Sequence, residues 1–512
     1  MSLIDAIAGH AARTPDRCAL HFEGEDISYS ALWQRVEIAT LDLRQQGVKS
    51  GERVAWLGLN DPYLIVLLLA LCRIGAILLP LNYRLALPEL QGILDHAQTR
   101  LLLTDSAHRS MALELSVVEA AEGRPSPDAS AASAAPALAV APAASAEPPL
   151  TAPALGADPP ALLVYTSGTT GNPKGALHTQ AGLMANCVAS QHAHGFMPQD
   201  HVLTALPLFH VGGLCIQTLP ALVAGARVTL LARFDAGEWL RHIETVKPTM
   251  SLLVPAAMQA VIQHPTFAST DVSSLQLLNA DSSTIPLSLI GAFHARGVPV
   301  CQVYGATETG PVSIYLQRSE ALQHAGSAGR AGVGVEVRLV NDAGLDAKEG
   351  EVGQVGEVGE IWLRAPNVMQ GYWRDPGNPS FQNGWFHSGD LARRDLEGFY
   401  WIVGRSKDMI ISGGENIYPA EIENILADCP HIAEAAVLGM PDERWGEMAV
   451  AVVVRTADSA IDEAQVMQLF DGKLARFKHP RQVLFVNALP KSALGKVIKS
   501  QLKSTILKNS EK

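Results

Sequence analysis

Apolar and polar positions fall into alternating blocks along most of the chain. "RVAWLGL", "GAILLPL", "RLLLTD", "ALLVYTS" and "HVLTALP" are apolar runs of strand length, the pattern of strands buried within a sheet. Helix-like stretches such as "SYSALWQRVEIATLDLRQQG" stand between or before them. This alternation predicts an α/β fold with largely buried sheets. The apolar stretch 63–82, "YLIVLLLALCRIGAILLPLN", invites comparison with a membrane span, but Arg73 interrupts it and Gly75 follows. A short buried helix running into a strand fits it better. Between 124 and 160 the periodicity disappears into an Ala/Pro/Ser run with little to pack into a core, which predicts a loop or linker. No repeat of fixed period is visible. After Arg405 the texture changes again. "DMIISGGEN", a helix opening at "YPAEIENILAD", the strands "AEAAVLGM" and "AVAVVVR" and a helix "EAQVMQLFDGKLARF" predict a small separate α+β domain. The expected organisation is a large N-terminal domain of several subdomains, 1–404, and a C-terminal domain, 405–512.

Length and composition narrow the class. At 512 residues the chain exceeds one ordinary core, so two or more domains are expected. A net charge of −12 argues against a nucleic-acid surface or a polybasic membrane patch. Six scattered cysteines, Cys18, Cys72, Cys187, Cys215, Cys301 and Cys429, contain no CxxC pair; they predict buried thiols in a reducing compartment, not a zinc site or a disulfide framework. The N-terminus lacks the basic start and apolar run of a secretion signal. A cytoplasmic protein with no membrane span is expected.

Chemistry concentrates in "YTSGTTGNPKGA", 165–176, directly after the apolar "ALLVY". Gly168, Gly171 and Gly175 allow close backbone approach to a ligand. Backbone N–H groups with the hydroxyls of Thr166, Ser167, Thr169 and Thr170 can surround phosphate oxygens, and Lys174 adds a point charge. The spacing fits neither GxxxxGK[ST] nor a strand–GxGxxG–helix fingerprint. On its own, a loop of this composition is equally compatible with a plain connection.

This stretch resembles the phosphate-binding loop of the adenylate-forming superfamily of acyl-CoA synthetases, luciferases and adenylation domains. Further stretches resemble that family's motifs in the same order: "PLFH" ending at His210, "YGATE" 304–308, "GWFHSGD" ending at Asp390, "GRSKD" around Lys407, "GGENIYPAEIE" and "PKSALGK" ending at Lys496. The resemblance covers nearly the whole chain outside the Ala/Pro-rich run. It implies a fatty-acyl or aryl (feruloyl- or benzoyl-type) CoA ligase using ATP, CoA and Mg²⁺. In that reaction a carboxylate attacks the α-phosphate of ATP and releases pyrophosphate; a thiol then displaces AMP from the acyl-adenylate.

The resemblance also implies roles. The loop Thr166, Ser167, Gly168, Thr169, Thr170 to Lys174 would hold the β- and γ-phosphates, and Glu308 the Mg²⁺. Tyr304, Gly305 and Thr307 would border the nucleotide, with Tyr304 against adenine; Asp390 would meet the ribose hydroxyls and Arg405 the ribose or phosphate. Lys496 would be the catalytic lysine on a mobile C-terminal lid, Lys407 its hinge, and His210 a residue that lines the acyl pocket and takes part in catalysis. Ala189, Val211, Gly212, Val303 and Ala306 would line that pocket. Gly413 and Gly414 would let the pantetheine arm pass, Trp445 would face the CoA nucleotide, and Arg84, Lys478 and Arg481 would contact CoA phosphates.

One stretch departs from the pattern. A Gly/Ala-rich turn is usual before "YGATE", whereas "DSSTIP", 281–286, stands here, placing side chains where bare backbone normally borders the acyl site. The lining is small and apolar with no arginine for a second carboxylate, so a monocarboxylic small-molecule partner with an apolar or aromatic body is expected. Two other readings stay open: an acyl-AMP ligase that loads a carrier protein, and a non-catalytic acyl- or nucleotide-binding relative.

Overall fold

The computed structural model describes residues 2–99, 101–115, 119–122, 158–166, 173–281, 285–350, 356–413, 415–491 and 496–510. Ser167, Gly168, Thr169, Thr170, Gly414 and most of the 124–160 run lie outside them. The chain divides into two compact units, one of 1–252, 305–312 and 365–379, the other of 253–304, 313–364 and 380–512. The 404/405 boundary expected from sequence falls inside the second unit.

In the first unit, a sheet of seven strands runs in the order Gly371–Tyr372, Lys174–Thr179, Pro160–Thr166, Ile77–Leu81, Arg53–Leu57, Leu101–Thr104, Glu119–Glu122. The 53–57, 77–81 and 101–104 strands are mutually parallel. The stretch that invited comparison with a membrane span supplies the crossover between two of them. Asp61 caps the Pro62–Ile74 helix, Pro62 opens it and Gly75 ends it at φ 81°. Ten of its thirteen residues are buried, each large aliphatic one stabilising the fold by about 1.5–3 kcal/mol. Among the described residues no helix is long and apolar enough to cross a membrane. A further set of strands in this unit, Met250–Leu253, His201–Thr204, Arg227–Leu230, Cys18–Phe22 and Glu25–Ser28, is parallel up to the last, which returns as a hairpin.

The second unit opens with the parallel pair Leu277–Ala280 and Val300–Tyr304. It continues with the antiparallel strands Glu336–Val340, Gly359–Arg364, Trp385–Arg394 and Tyr400–Arg405. Residues after 405 build their own sheet, Glu415–Ile417, Ile410–Ser412, Gly446–Arg455 and Ile432–Asp442, with Gln482–Phe485 added in parallel. Ile410, Ile422, Leu426, Val437, Ala451 and Phe470 sit in its core. One expectation here is corrected. The helix foreseen across "EAQVMQLFDGKLARF" ends at Gln468: the N–H groups of Leu469, Phe470 and Asp471 bond three residues back, and Gly472 then takes a left-handed φ of 72° that bars any resumption. All six cysteines are free, and all but Cys18 are buried.

Candidate active site

The first unit gathers part of the predicted chemistry around one tyrosine. Thr166 and Lys174 face each other across the antiparallel pair Pro160–Thr166/Lys174–Thr179, so the described ends of the phosphate-loop candidate stand side by side. The two-residue strand Gly371–Tyr372 pairs along the open edge of Lys174–Thr179, with Tyr372 opposite Ala176. This register brings the Tyr372 ring to 5.1 Å from the Lys174 Nζ. The same ring donates its hydroxyl to Glu308 Oε1 at 2.8 Å. Two candidates far apart in sequence, Lys174 and Glu308, therefore meet on opposite parts of one aromatic side chain.

Glu308 rides on a tight turn, Thr307–Thr309, that the surroundings fix from several sides. Its carbonyl accepts from the Met369 N–H at 2.8 Å. The Asn367 amide donates to the carbonyls of Thr309 at 2.8 Å and Val312 at 3.2 Å. Gly310 leaves the turn at φ 72°, with a would-be Cβ only 2.4 Å from the Asn367 carbonyl oxygen. At Gly305 a Cβ would lie 1.9 Å from the Pro311 carbonyl oxygen, so this segment folds back on itself more closely than any side chain permits. Neither Tyr372 nor Asn367 was foreseen from the sequence. The only local signal is an aromatic pair behind a glycine in "NVMQGYW".

His178 lies on the same strand as Lys174 and is fully buried. Burial pushes its imidazole down to about 4, against a smaller opposing effect from the Thr307 backbone. His210 Nδ1 accepts from the Gly212 N–H at 3.0 Å, so a neutral His210 carries its proton on Nε2. Val211, Gly212, Ala189 and Thr307 are buried, and Ala306 is half-buried.

In the second unit a different trio forms. Tyr304 ends the Val300–Tyr304 strand, and its hydroxyl donates to Asp390 Oδ2 at 2.9 Å. Asp390 and Arg405 are directly opposed on paired strands, and Arg405 Nε donates to Asp390 Oδ1 at 2.8 Å. Burial, and then the Asp390 carboxylate, raise the Tyr304 hydroxyl well above its ordinary range; Asp390 likewise raises the Arg405 guanidinium. Asp390 is 7% exposed, whereas the Arg405 side chain keeps 46% of its surface exposed, so the pair joins a buried acceptor to a donor at the surface. Val303 and Asp281 are buried in the same unit.

The remaining candidates sit in the part after 405. Lys407 is exposed on the turn Ser406–Asp408. Lys496 is exposed, beside Val497, which bridges to Lys491. Trp445 has the guanidinium of Arg444 at 4.7 Å and that of Arg481 at 5.1 Å from its ring. Gly413 sits at φ 61°, and a Cβ there would lie 2.7 Å from the Trp445 ring. Its missing side chain thus makes room for Trp445. Lys478 Nζ donates to Glu421 Oε2 at 2.6 Å, which occupies the ammonium expected to meet a CoA phosphate. Arg84 lies over Tyr83, 5.3 Å from the ring.

Among the described residues no three His, Cys, Asp or Glu side chains cluster as a metal cage. A single oriented carboxylate, Glu308, suits Mg²⁺, which keeps several waters and shares substrate phosphates instead of demanding an all-protein shell.

The arrangement has close counterparts. Over 518 residues the chain is 42% identical to an indoleacetate–CoA ligase of Aromatoleum aromaticum, covering 99% of this chain and 98% of that one. It is 39% identical to a feruloyl-CoA synthase of Amycolatopsis, with 96% of each covered. The solved structure of ATP-bound MatB from Rhodopseudomonas palustris superposes with a TM-score of 0.86 at 32% identity, covering 99% of both chains. The AMP-binding enzyme model matches residues 7–373 and the model of its C-terminal domain matches 421–496. On that span of matches the chain belongs to the AMP-binding enzyme family.

Proposed function

We propose that the chain is an AMP-forming acid–CoA ligase whose acid is an aromatic monocarboxylate. The observation that carries this reading is the meeting of Lys174 and Glu308 on Tyr372: a cation and an oriented carboxylate presented together suit a polyphosphate with its divalent cation. The aromatic preference rests on the relatives named for indoleacetate and ferulate, and on the small residues Ala189, Gly212 and Ala306, which leave room for a ring.

Thr166, Lys174 and the residues between them hold the β- and γ-phosphates. Glu308, oriented by Tyr372, holds Mg²⁺, which neutralises phosphate charge when bound. The Tyr304 ring borders the adenine, while the Asp390–Arg405 pair offers acceptor and donor atoms to the ribose. His210 presents Nε2–H at the acid site. Lys496 donates to the oxygens that bridge acid and α-phosphate, on a lid of 405–512 that pivots at Lys407 after pyrophosphate leaves. On the lid's other face Trp445 and Arg481 receive the CoA nucleotide. ATP and CoA are both substrates here, which fits work in the cytoplasm.

The test is an assay of purified protein with ATP, Mg²⁺ and CoA against indoleacetic, ferulic, benzoic and fatty acids, with pyrophosphate, AMP and thioester measured separately. Aryl-CoA with equimolar AMP supports the reading. Pyrophosphate and adenylate without thioester would point to carrier loading, and exclusive turnover of fatty acids would overturn the aromatic assignment. In the same assay Lys496→Ala is expected to slow adenylation roughly 10²–10³-fold, while transfer from supplied acyl-AMP to CoA falls far less. Equal loss in both halves would remove Lys496 from its role.

A further inference from the structure

Behind His210 the chain winds as a π-helix, Gly212–Thr218, with all seven residues buried. It runs straight into the helix Leu219–Ala224, whose second residue is Pro220. A proline has no N–H, and its position decides which carbonyls go without a helical donor. Pro220 stands where Cys215 would find its π-helical partner and where Ile216 would find its α-helical one. The Leu219 N–H goes to the Leu214 carbonyl instead. The Cys215 carbonyl must then be met from outside the helix, and the Ile216 carbonyl loses its α-helical donor.

Both donors come from one face of the Gln180–His194 helix. Asn186 Nδ2 donates to the Cys215 carbonyl at 2.7 Å, and Ser190 Oγ, one turn further, donates to the Ile216 carbonyl at 2.5 Å. Asn186 also accepts from the Val312 N–H through Oδ1 at 3.1 Å. It is 1% exposed and Ser190 is 0%. A single buried amide thus ties three segments: the helix that carries Ala189, the turn headed by Val211 and Gly212, and the 305–312 segment that begins at Gly305 and Ala306.

We propose that Asn186, seconded by Ser190, is a positioning residue that fixes the spacing of these three segments and thereby selects the acid by the size of its ring. This rests on the reading that Ala189, Val211, Gly212 and Ala306 line the acid site. Asn186 touches no reacting atom; it acts through the wall. Without its amide, the Cys215 carbonyl and the Val312 N–H lose their buried partners together, and the π-helical turn relaxes towards water or towards the acid space. The wall then discriminates poorly between rings of different size.

The test compares wild type with Asn186→Leu, which keeps the volume and removes the amide, and with Ser190→Ala. Indoleacetate, ferulate, phenylacetate and benzoate are assayed by pyrophosphate release at saturating ATP, with KM for ATP measured in parallel. For Asn186→Leu the kcat/KM ratio of the largest preferred acid to benzoate is expected to collapse by roughly 10–100-fold. KM for the acid rises while KM for ATP stays within about two-fold. Ser190→Ala shifts the same ratio in the same direction by several-fold. Uniform loss across all acids and for ATP, or an unchanged ratio in both variants, would overturn the proposal. If Asn186→Leu does not fold, Ser190→Ala decides. Should wild type accept fatty acids alone, the aromatic reading fails, and the same ratio taken between long and short fatty acids still tests the wall.

Discussion

Lys174, Tyr372 and Glu308 on one unit, and Arg405, Tyr304 and Asp390 on the other, are built from the same three kinds of side chain. In the first set the ring stands between the charges, with the ammonium 5.1 Å from the ring and the carboxylate bonded to its hydroxyl. In the second the guanidinium bonds the carboxylate directly at 2.8 Å, and the tyrosine hydroxyl takes the other oxygen at 2.9 Å. Direct pairing cancels charge and fixes shape; an intervening ring orients charge without cancelling it. The first set therefore suits a ligand that brings its own charges, phosphate and a divalent cation. The second suits a neutral, hydrogen-bonding ligand such as a nucleoside.

Removing charge at constant shape breaks this contrast most directly. Glu308→Gln keeps an oxygen for the Tyr372 hydroxyl but discards the charge, and adenylation should fall about 10²–10³-fold with a higher Mg²⁺ requirement. A Mg²⁺ titration of pyrophosphate release reads both. Asp390→Asn should cost less, about 10–100-fold in kcat/KM for ATP, and should also lower stability by about 1–3 kcal/mol, because its amide presents a donor to a donor. Steady-state kinetics and chemical denaturation check this; a larger kinetic loss than in Glu308→Gln would invert the contrast. Milder still are the two hydroxyl deletions. Tyr372→Phe should slow adenylation by roughly 5–10-fold with a raised Mg²⁺ requirement, whereas Tyr304→Phe, by a similar or smaller factor, should change KM for ATP and leave the Mg²⁺ dependence alone.

Acid provides the gentlest separation. His178 and His201, both in the first unit, are held down to about 4 by burial, with Arg227 adding to the effect at His201. Each is neutral when folded and takes up a proton near 6.5 when unfolded. Stability is therefore complete above pH 6.5 and declines as the pH falls from 6.5 towards 4, by up to about 1.4 kcal/mol per pH unit for each histidine. Hydrogen exchange at descending pH should show the strands Lys174–Thr179 and His201–Thr204 losing protection before the Trp385–Arg394 strand. Simultaneous loss would mean that the units do not open separately.

The sequence made some of this legible and hid the rest for physical reasons. Lys174, Glu308, Asp390 and Arg405 could be singled out because they sit in short local stretches that resemble the motifs of the adenylate-forming family. The buried strands and the Pro62–Ile74 helix followed from apolar runs and their caps. Tyr372 could not be found, since its part depends on a two-residue strand pairing with Lys174–Thr179, a register no local pattern encodes. Asn186 reads as an ordinary polar residue on a helix until Pro220 is seen to deny the Cys215 carbonyl its helical donor. At Gly413 the sequence cannot show that a side chain there would meet the Trp445 ring, a contact made between distant positions. The helix past Gln468 was overextended because apolar periodicity continues through Asp471 and Gly472, where the backbone turns away.

The strand Gly371–Tyr372 also bears on how the chain reaches its fold. Until it emerges from the ribosome, the Lys174–Thr179 strand offers Ala176 and Leu177 along an open sheet edge, the kind of surface that recruits other chains. The residues that cover it are made only after the whole of 180–370 has been synthesised. The closing step is thus a late, long-range one. A nascent chain stalled before residue 371 should aggregate more readily than one released just beyond Trp373, so the tyrosine that orients Glu308 also belongs to the segment that seals the edge.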